Sequence, residues 1–299
     1  GSLAQAISAQ AVWRKIRPQP GSQPLVMSLL SCCIGRETRK ARRRGNRKGR
    51  SSGPQRDVIV EPTEEHTHTV ILLHGTYYDG TEFEDVPGQV RKIAEDQGYA
   101  GAGGIKYVFP ASPVNEDGDN FWYDYLADDD APPMQCDNDE IDVGQWNAQV
   151  KRIADIVSSE VEALGDPRRV LIGGNSAGGT IAIHVALQAV AGPLGALLCL
   201  RTVPMRRTLG PAEPAPVEGE PDGSLRPGKA SLEMPVLVYQ AGLDDTYVPE
   251  LQARNYGLLE SAGFKVQFKV NPEGKHEDDD PGENMQAAEW AVAHCLAGS

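Results

Sequence analysis

The run VLIGGNSAGGTIAIHVAL, residues 170–187, constrains this chain more than any other stretch. It opens apolar, passes through a cluster of small residues, and closes apolar again. An apolar strand that turns straight into an apolar helix must bury both, and the two backbones approach closely only where side chains are missing. Gly174 and Gly178 flank Ser176 two residues away on each side, in a G-x-S-x-G arrangement, and Gly179 and Ala182 extend the small face. A serine so placed is expected on a sharp strand-to-helix bend, its hydroxyl presented outward and its backbone strained.

From Asp57 onward, short apolar runs alternate with helical patterns. The expected strands are VIV (58–60), TVILL (69–73), IKYVF (105–109), RVLIGG (169–174), ALLCLRTV (196–203), PVLVYQA (235–241) and KVQFKV (265–270). Several are apolar on both faces, as buried parallel strands are. Between them, helices are expected over Gln89 to Gln97, Val143 to Leu164, Ser176 to Val190, Pro249 to Ser261 and Glu283 to Ala297. This order predicts an α/β domain over 57–299, with a mostly parallel central sheet and helices on both faces. Two long loops interrupt it. Residues 111–142 are acidic and carry the aromatic cluster FWYDY (121–125), and residues 204–233 are rich in Pro and Gly. Two readings stand for them: loops at the mouth of the sheet that shape the site, or variable inserts with no role.

The net charge of −13 is unevenly spread. Residues 1–56 hold 13 Lys and Arg and one acid, Glu37, which leaves the remainder at −25. An acidic body counts against a nucleic-acid-binding surface, because phosphates would be repelled. The basic segment 1–56 reads as disordered. Read from Met27, it places Cys32 and Cys33 beside the block ARRRGNRKGR. Three readings stand for it: a lipidated cysteine plus basic residues as a membrane-surface anchor, an organelle transit segment, or a solvated tail. The corresponding expectation is a cytoplasmic protein, membrane-associated through this segment in the first reading and organelle-targeted in the second. Five cysteines without a CxxC pair or a secreted spacing pattern fit a reducing compartment, with Cys199 a buried core thiol.

A serine nucleophile needs a base and an oxyanion site. Ala177 would present its N–H at the start of the helix, and the run TVILLHGTYYDG (69–80) ends a strand at His74-Gly75, where the N–H of Thr76 can aim at the same oxyanion. His74 reads as a brace for that turn. Of the histidines that follow the loop AGLDDTYVPE (241–250), His276 lies in a loop and His294 inside the last helix, which makes His276 the expected base. Asp244 and Asp245 both stand at the end of a strand, and composition does not choose between them. His184 lies about 12 Å along the helix from Ser176 at ~1.5 Å per residue, too far to serve as base. The acidic H-x-H stretch at Glu64, Glu65, His66 and His68 and the acid runs Asp128–Asp130 and Asp278–Asp280 lack the spacing of a metal site. No metal or cofactor is expected.

The order HGT…DG, FPASP, FWYDY, GGNSAGG, GLDDTYVP and a late loop histidine resembles the phospholipase/carboxylesterase group that includes acyl-protein thioesterases. The resemblance covers residues 57–299. It implies the α/β-hydrolase fold and a Ser-His-Asp serine hydrolase acting on carboxylic esters or thioesters without a cofactor. It places the acid four residues before the Pro of the D-x-x-V-P run, at Asp245, and the second oxyanion N–H on Thr76. It implies Trp122 and Tyr123 as linings of the acyl site. The sequence departs from the group at Ala177, where thioesterases usually carry Gln, and in the 204–233 insert. GNSAGG is also similar to the GDSAGG elbow of hormone-sensitive-lipase-like esterases, whose HGGG loop is absent. Other readings of the same fold are a lipase-like or polyester-cleaving enzyme and a non-catalytic interaction module.

Overall fold

The computed structural model describes residues 56–115, 118–126, 141–210, 232–278 and 280–297. The readings placed on residues 1–55, including lipidation of Cys32 or Cys33, and on most of the two long loops lie outside these residues.

Seven strands form one sheet: β1 (Val58–Val60), β2 (His68–Leu73), β3 (Ile105–Phe109), β4 (Val170–Asn175), β5 (Ala196–Leu200), β6 (Val236–Ala241) and β7 (Val266–Asn271). Their order across the sheet is β1-β3-β2-β4-β5-β6-β7. Only β1 runs antiparallel to its neighbour; the rest are parallel. Among the described residues, six α-helices connect or follow them: α1 (Val86–Gln97), α2 (Val143–Leu164), α3 (Ser176–His184), the single turn α4 (Arg206–Leu209), α5 (Pro249–Ala262) and α6 (Pro281–Cys295).

The inner strands β2 to β6 are buried on both faces because alternate side chains feed two separate cores, whereas the edge strands β1 and β7 keep exposed positions. Ile71, Leu73, Ile172, Leu197, Cys199, Val236 and Val238 join one core with residues of α2, α3 and α5. Val70, Leu72, Leu171, Leu198, Leu200, Leu237 and Tyr239 join the other with residues of α1 and α6. Burial pushes the Cys199 thiol up to about 12, so it behaves as a core apolar group. Helix boundaries follow local chemistry. Asp142 accepts the Gln145 N–H ahead of α2, and Gly98 and Gly165 end α1 and α2 with left-handed φ of 74° and 72°.

Several boundaries differ from the sequence expectation: α1 begins at Val86 rather than Gln89, and α6 spans Pro281–Cys295 rather than 283–297. Helix α3 stops as an α-helix at His184 and continues as one wider π turn over Val185–Ala189. Strand β5 ends at Leu200 rather than at residue 203, because Arg201 takes a left-handed φ of 42° and leaves the strand direction. Among the described residues, no helix is long and apolar enough to cross a membrane.

The central parallel strands β2 and β4 carry the site. The chain leaves β2 toward β3 on one side and leaves β4 toward β5 on the other, so a crevice opens at their carboxyl ends. Into it α3 presses its first turn. A Cβ on Gly178 would lie 2.3 Å from the His74 carbonyl oxygen, and one on Gly174 would lie 2.7 Å from the Leu73 carbonyl oxygen. Both obstacles are backbone, which cannot swing aside. Gly178→Ala is therefore expected to destabilise the protein by roughly 1–3 kcal/mol. At about 2–4 °C per kcal/mol for a domain of this size, thermal unfolding should show a loss of several degrees. A Tm within about a degree of the parent would mean that α3 can withdraw from β2 without cost.

Candidate active site

Ser176 sits between β4 and α3 with φ of 50°, one of three non-glycine residues in the left-handed region among the described residues. The strain is held from outside the turn: the Thr202 hydroxyl donates to the Ser176 carbonyl oxygen at 2.7 Å. The serine hydroxyl meets His276 Nε2 at 2.9 Å. His276 arrives 100 residues later, on the loop between β7 and α6.

The Nδ1 of His276 lies 2.9 Å from Oδ2 of Asp244. This corrects the expectation of Asp245, which is exposed, whereas the Asp244 side chain is 0% exposed. The cause is local. Oδ1 of Asp244 accepts the N–H groups of Thr246 (2.9 Å) and Tyr247 (2.8 Å), a turn that aspartate forms readily. That turn rotates the carboxylate inward and leaves Oδ2 for the imidazole. With Nδ1–H facing a carboxylate, Nε2 carries the free lone pair and can accept the serine proton. The acid and histidine loops are also joined by backbone: Leu243 N–H donates to the Gly274 carbonyl at 2.8 Å.

The His276 loop is gripped by Arg201, whose role was not expected from the sequence. Its Nη1 donates to the carbonyls of His276 and Asp278, both at 2.6 Å, and its Nη2 pairs with Glu283 at 2.5 Å. Burial pushes the Glu283 carboxyl up, with Arg201 pulling against it. For Arg201, burial works against the charge and the Glu283 carboxylate outweighs it. The one signal in the sequence was an arginine placed directly after the wholly apolar run ALLCL, where only a paired charge is tolerable.

The turn after β2 lies against the serine. A Cβ on Gly75 would be 3.6 Å from Ser176 Cβ, which puts the next residue, Thr76, at the mouth of the bend. Ala177 belongs to the first turn of α3, where N–H groups have no partner within the helix. His74 braces this turn, as expected. Its Nδ1 donates to the Gly75 carbonyl at 2.7 Å and its Nε2 accepts the Ser112 N–H at 2.9 Å. Burial lowers its pKa to about 4, so it stays neutral in that tautomer.

Trp122 and Tyr123, expected to line the acyl site, are each 1% exposed and offer no surface to a substrate. They serve the frame instead. Trp122 donates from Nε1 to the His74 carbonyl at 2.8 Å, and its ring packs on the His74 ring. The Tyr123 hydroxyl is 2.8 Å from that of Thr180 on α3, and Tyr125 links it onward to Tyr247, whose ring meets His276 edge-on at 5.3 Å. The FWYDY cluster was visible in the sequence. Its inward direction was not, because it depends on the carbonyl of a turn 48 residues away.

Other sequence candidates fall away from this centre. His184 is bonded to Thr208 and half-buried beside Trp146, with its pKa lowered to about 4 by desolvation and by Arg207. His294 lies on α6 beside Trp290. His66 and His68 bond to neighbouring threonines, and no cluster of three or more metal-ligating side chains occurs among the described residues. Asp280 caps α6, accepting the Gly282 N–H. Asp278 accepts the Lys275 N–H within the histidine loop. The Asp128–Asp130 run lies outside the described residues.

A strained serine at a strand–helix bend, at the carboxyl ends of a mostly parallel sheet, defines an α/β-hydrolase fold. Residues 54–209, more than half of the chain, match the family model described as Phospholipase/Carboxylesterase. The chain belongs to the phospholipase/carboxylesterase family and is a hydrolase. Solved structures agree on the fold. Acyl-protein thioesterase 2 of Zea mays is 22% identical, with a TM-score of 0.55 over 81% of this chain and 100% of its own. A Bacillus cereus carboxylesterase is 15% identical, with a TM-score of 0.57 over 80% and 93%. SOBER1 of Arabidopsis thaliana is 19% identical, with a TM-score of 0.56 over 76% and 99%. The family match ends before Asp244 and His276, so the geometry alone selects between the two aspartates.

Asp244→Asn should lower turnover on a p-nitrophenyl ester by about 10⁴-fold, since an amide no longer enforces the imidazole tautomer. Asp245→Asn should stay within about threefold of the parent. Steady-state kinetics on both variants decide the assignment, and the reverse ranking would return the role to Asp245.

Proposed function

We propose that this chain cleaves carboxylic esters or thioesters through an acyl-enzyme on Ser176, with His276 as general base and acid and Asp244 orienting it. The observation that carries the reading is the unbroken hydrogen-bonded chain from Ser176 Oγ through His276 to the buried Asp244 carboxylate, at 2.9 Å for each contact.

In the first step His276 Nε2 takes the hydroxyl proton as Oγ attacks the carbonyl carbon. The carbonyl π electrons move to oxygen, which the N–H groups of Thr76 and Ala177 receive. Each such donor is worth about 3 kcal/mol in the transition state. The tetrahedral species collapses, the C–O or C–S bond breaks, and His276 returns the proton to the departing alcohol or thiol. Water then enters, loses a proton to His276, and repeats the sequence on the acyl-enzyme, releasing the acid and restoring Ser176. Asp244 stays ionised throughout and favours the imidazolium that forms twice per cycle.

The neighbouring surface favours a substrate with apolar groups. Tyr78, two residues beyond Thr76, and Leu243, directly before Asp244, are exposed large hydrophobic side chains on the two loops that frame the reacting atoms. Turnover on p-nitrophenyl esters should therefore rise from acetate toward longer acyl chains.

Ser176→Ala is expected to lower turnover by about 10⁶-fold. A fluorophosphonate probe should label the parent and leave the variant unlabelled. Near-normal turnover in a purified, folded Ser176→Ala protein would remove the nucleophile and the mechanism with it.

A further inference from the structure

Strands β2 and β4 stay in register only as far as Leu73 and Gly174. Beyond that pair the chains diverge, one toward Thr76 and the other toward Ser176 and Ala177. No ladder hydrogen bond spans the gap across which the two proposed oxyanion donors must be spaced. A single carboxylate does. Glu82 Oε2 accepts the Gly75 N–H at 2.7 Å, and Glu82 Oε1 accepts Nδ2 of Asn175 at 2.7 Å. Gly75 directly precedes Thr76, and Asn175 directly precedes Ser176.

Glu82 is itself fixed. It lies in a 3₁₀ turn, Gly80–Phe83, capped by Asp79, which accepts the Thr81 N–H at 2.9 Å. Phe83 anchors that turn in the core beside Phe109, and Asn284 on α6 donates to the Glu82 carbonyl at 2.9 Å. Burial pushes the Glu82 carboxyl above the usual carboxylate range, and the Gly75 N–H, the Asn175 amide and Arg201, which holds the histidine loop, pull against it. We propose that Glu82 is the positioning residue of the oxyanion hole: its carboxylate bridges the Gly75 N–H and the Asn175 amide, and so sets the spacing between the N–H groups of Thr76 and Ala177. This rests on the oxyanion role given above to those two groups.

A carboxylate suits the task because both of its oxygens are pure acceptors, matched to two donors. An anion near a developing anion works against catalysis, so the residue would be disfavoured there unless its geometry contributed more than its charge costs. Oxyanion donors act only when aimed at the oxygen of the tetrahedral species, and a displacement of about 1 Å can cost on the order of 100-fold in rate.

The bridge can be rebuilt with its polarity reversed, and that supplies the test. In Glu82→Gln/Asn175→Asp the glutamine carbonyl would still accept the Gly75 N–H, and its amide would donate to the new aspartate. Glu82→Ala removes the bridge, and Asn175→Asp alone sets two carboxylates against each other. With a p-nitrophenyl ester, Glu82→Ala and Asn175→Asp should each lose about 10- to 100-fold in kcat, with KM within about twofold. The double variant should recover to within about fivefold of the parent, and the Tm of each variant identifies those folded at the assay temperature. If Glu82→Ala does not fold, the comparison of Asn175→Asp with the double variant decides. A folded Glu82→Ala with parental kcat, a loss appearing in KM alone, or a double variant no better than Asn175→Asp would overturn the proposal. Ser176→Ala, assayed alongside, separates the two levels. Activity remaining there removes the serine mechanism itself, whereas an inactive Ser176→Ala beside an active Glu82→Ala removes only the role of Glu82.

Discussion

The first turn of α3 rests on the carbonyl of His74 with no side chain between them, and the site is built around that contact. A Cβ at Gly178 would reach to 2.3 Å of the oxygen, so the helix and the end of β2 meet backbone to backbone. The approach has two consequences that come together. It forces Ser176 into a left-handed φ of 50°, which lifts its hydroxyl out of the sheet, and it brings the Gly75–Thr76 turn alongside the helix N-terminus. In the proposed mechanism, nucleophile and oxyanion donors are thus two results of one steric condition. The strain is opposed by fixed contacts: Thr202 on the Ser176 carbonyl, and Trp122 on the same His74 carbonyl that the helix touches.

Packing of this kind sets positions only at the resolution of a side chain. Polar contacts from remote parts of the chain supply the finer adjustment. Arg201 draws the carbonyls of His276 and Asp278 toward β5, and it can be buried because Glu283 on α6 neutralises it. Such a buried pair adds little net stability when compared with apolar residues of the same size. Its value here is geometric, since a guanidinium can hold two carbonyls and a carboxylate in one plane. In the role proposed for it, Glu82 does the corresponding work for the turn after β2. The buried charges near the centre therefore sit behind the reacting groups and orient the backbone that carries them.

Much of this was legible in the sequence, and what was not has a physical reason. The seven strands and the five longer helices follow from apolar periodicity: the five inner strands feed two cores and leave nearly continuous apolar runs, and the edge strands β1 and β7 alternate. Ser176 and His276 were readable because each depends on local context: a small-residue bend for one, a loop position after the last strand for the other. The contacts that failed to show are those in which a side chain bonds to the backbone of another element. The family resemblance implies Trp122 as a lining residue, and nothing near it in sequence reveals that its indole N–H answers the His74 carbonyl. Glu82 lay hidden among the acids of DGTEFED, where charge alone reads as a solvated turn. Arg201 ended a strand early by adopting a backbone conformation that no apolar pattern encodes.

The displacement of the acid by one residue follows the same logic. A count back from Pro249 fixes a place in the chain, but a carboxylate is directed by its hydrogen bonds. Asp244 has three acceptor contacts: two backbone N–H groups that close the turn after β6, and the imidazole. A residue that both closes the turn and reaches the histidine is held more rigidly than one that only reaches it, because the turn fixes its side-chain torsion before the imidazole arrives. Asp245, one position on, falls on the outer side of that turn, where its charge is solvated and costs nothing to keep. The backbone of a tight turn faces alternate residues in opposite directions, so in a pair such as Asp244-Asp245 only one can point inward. Which one does so is decided by the N–H groups of Thr246 and Tyr247, and these can be placed only once the turn has been drawn.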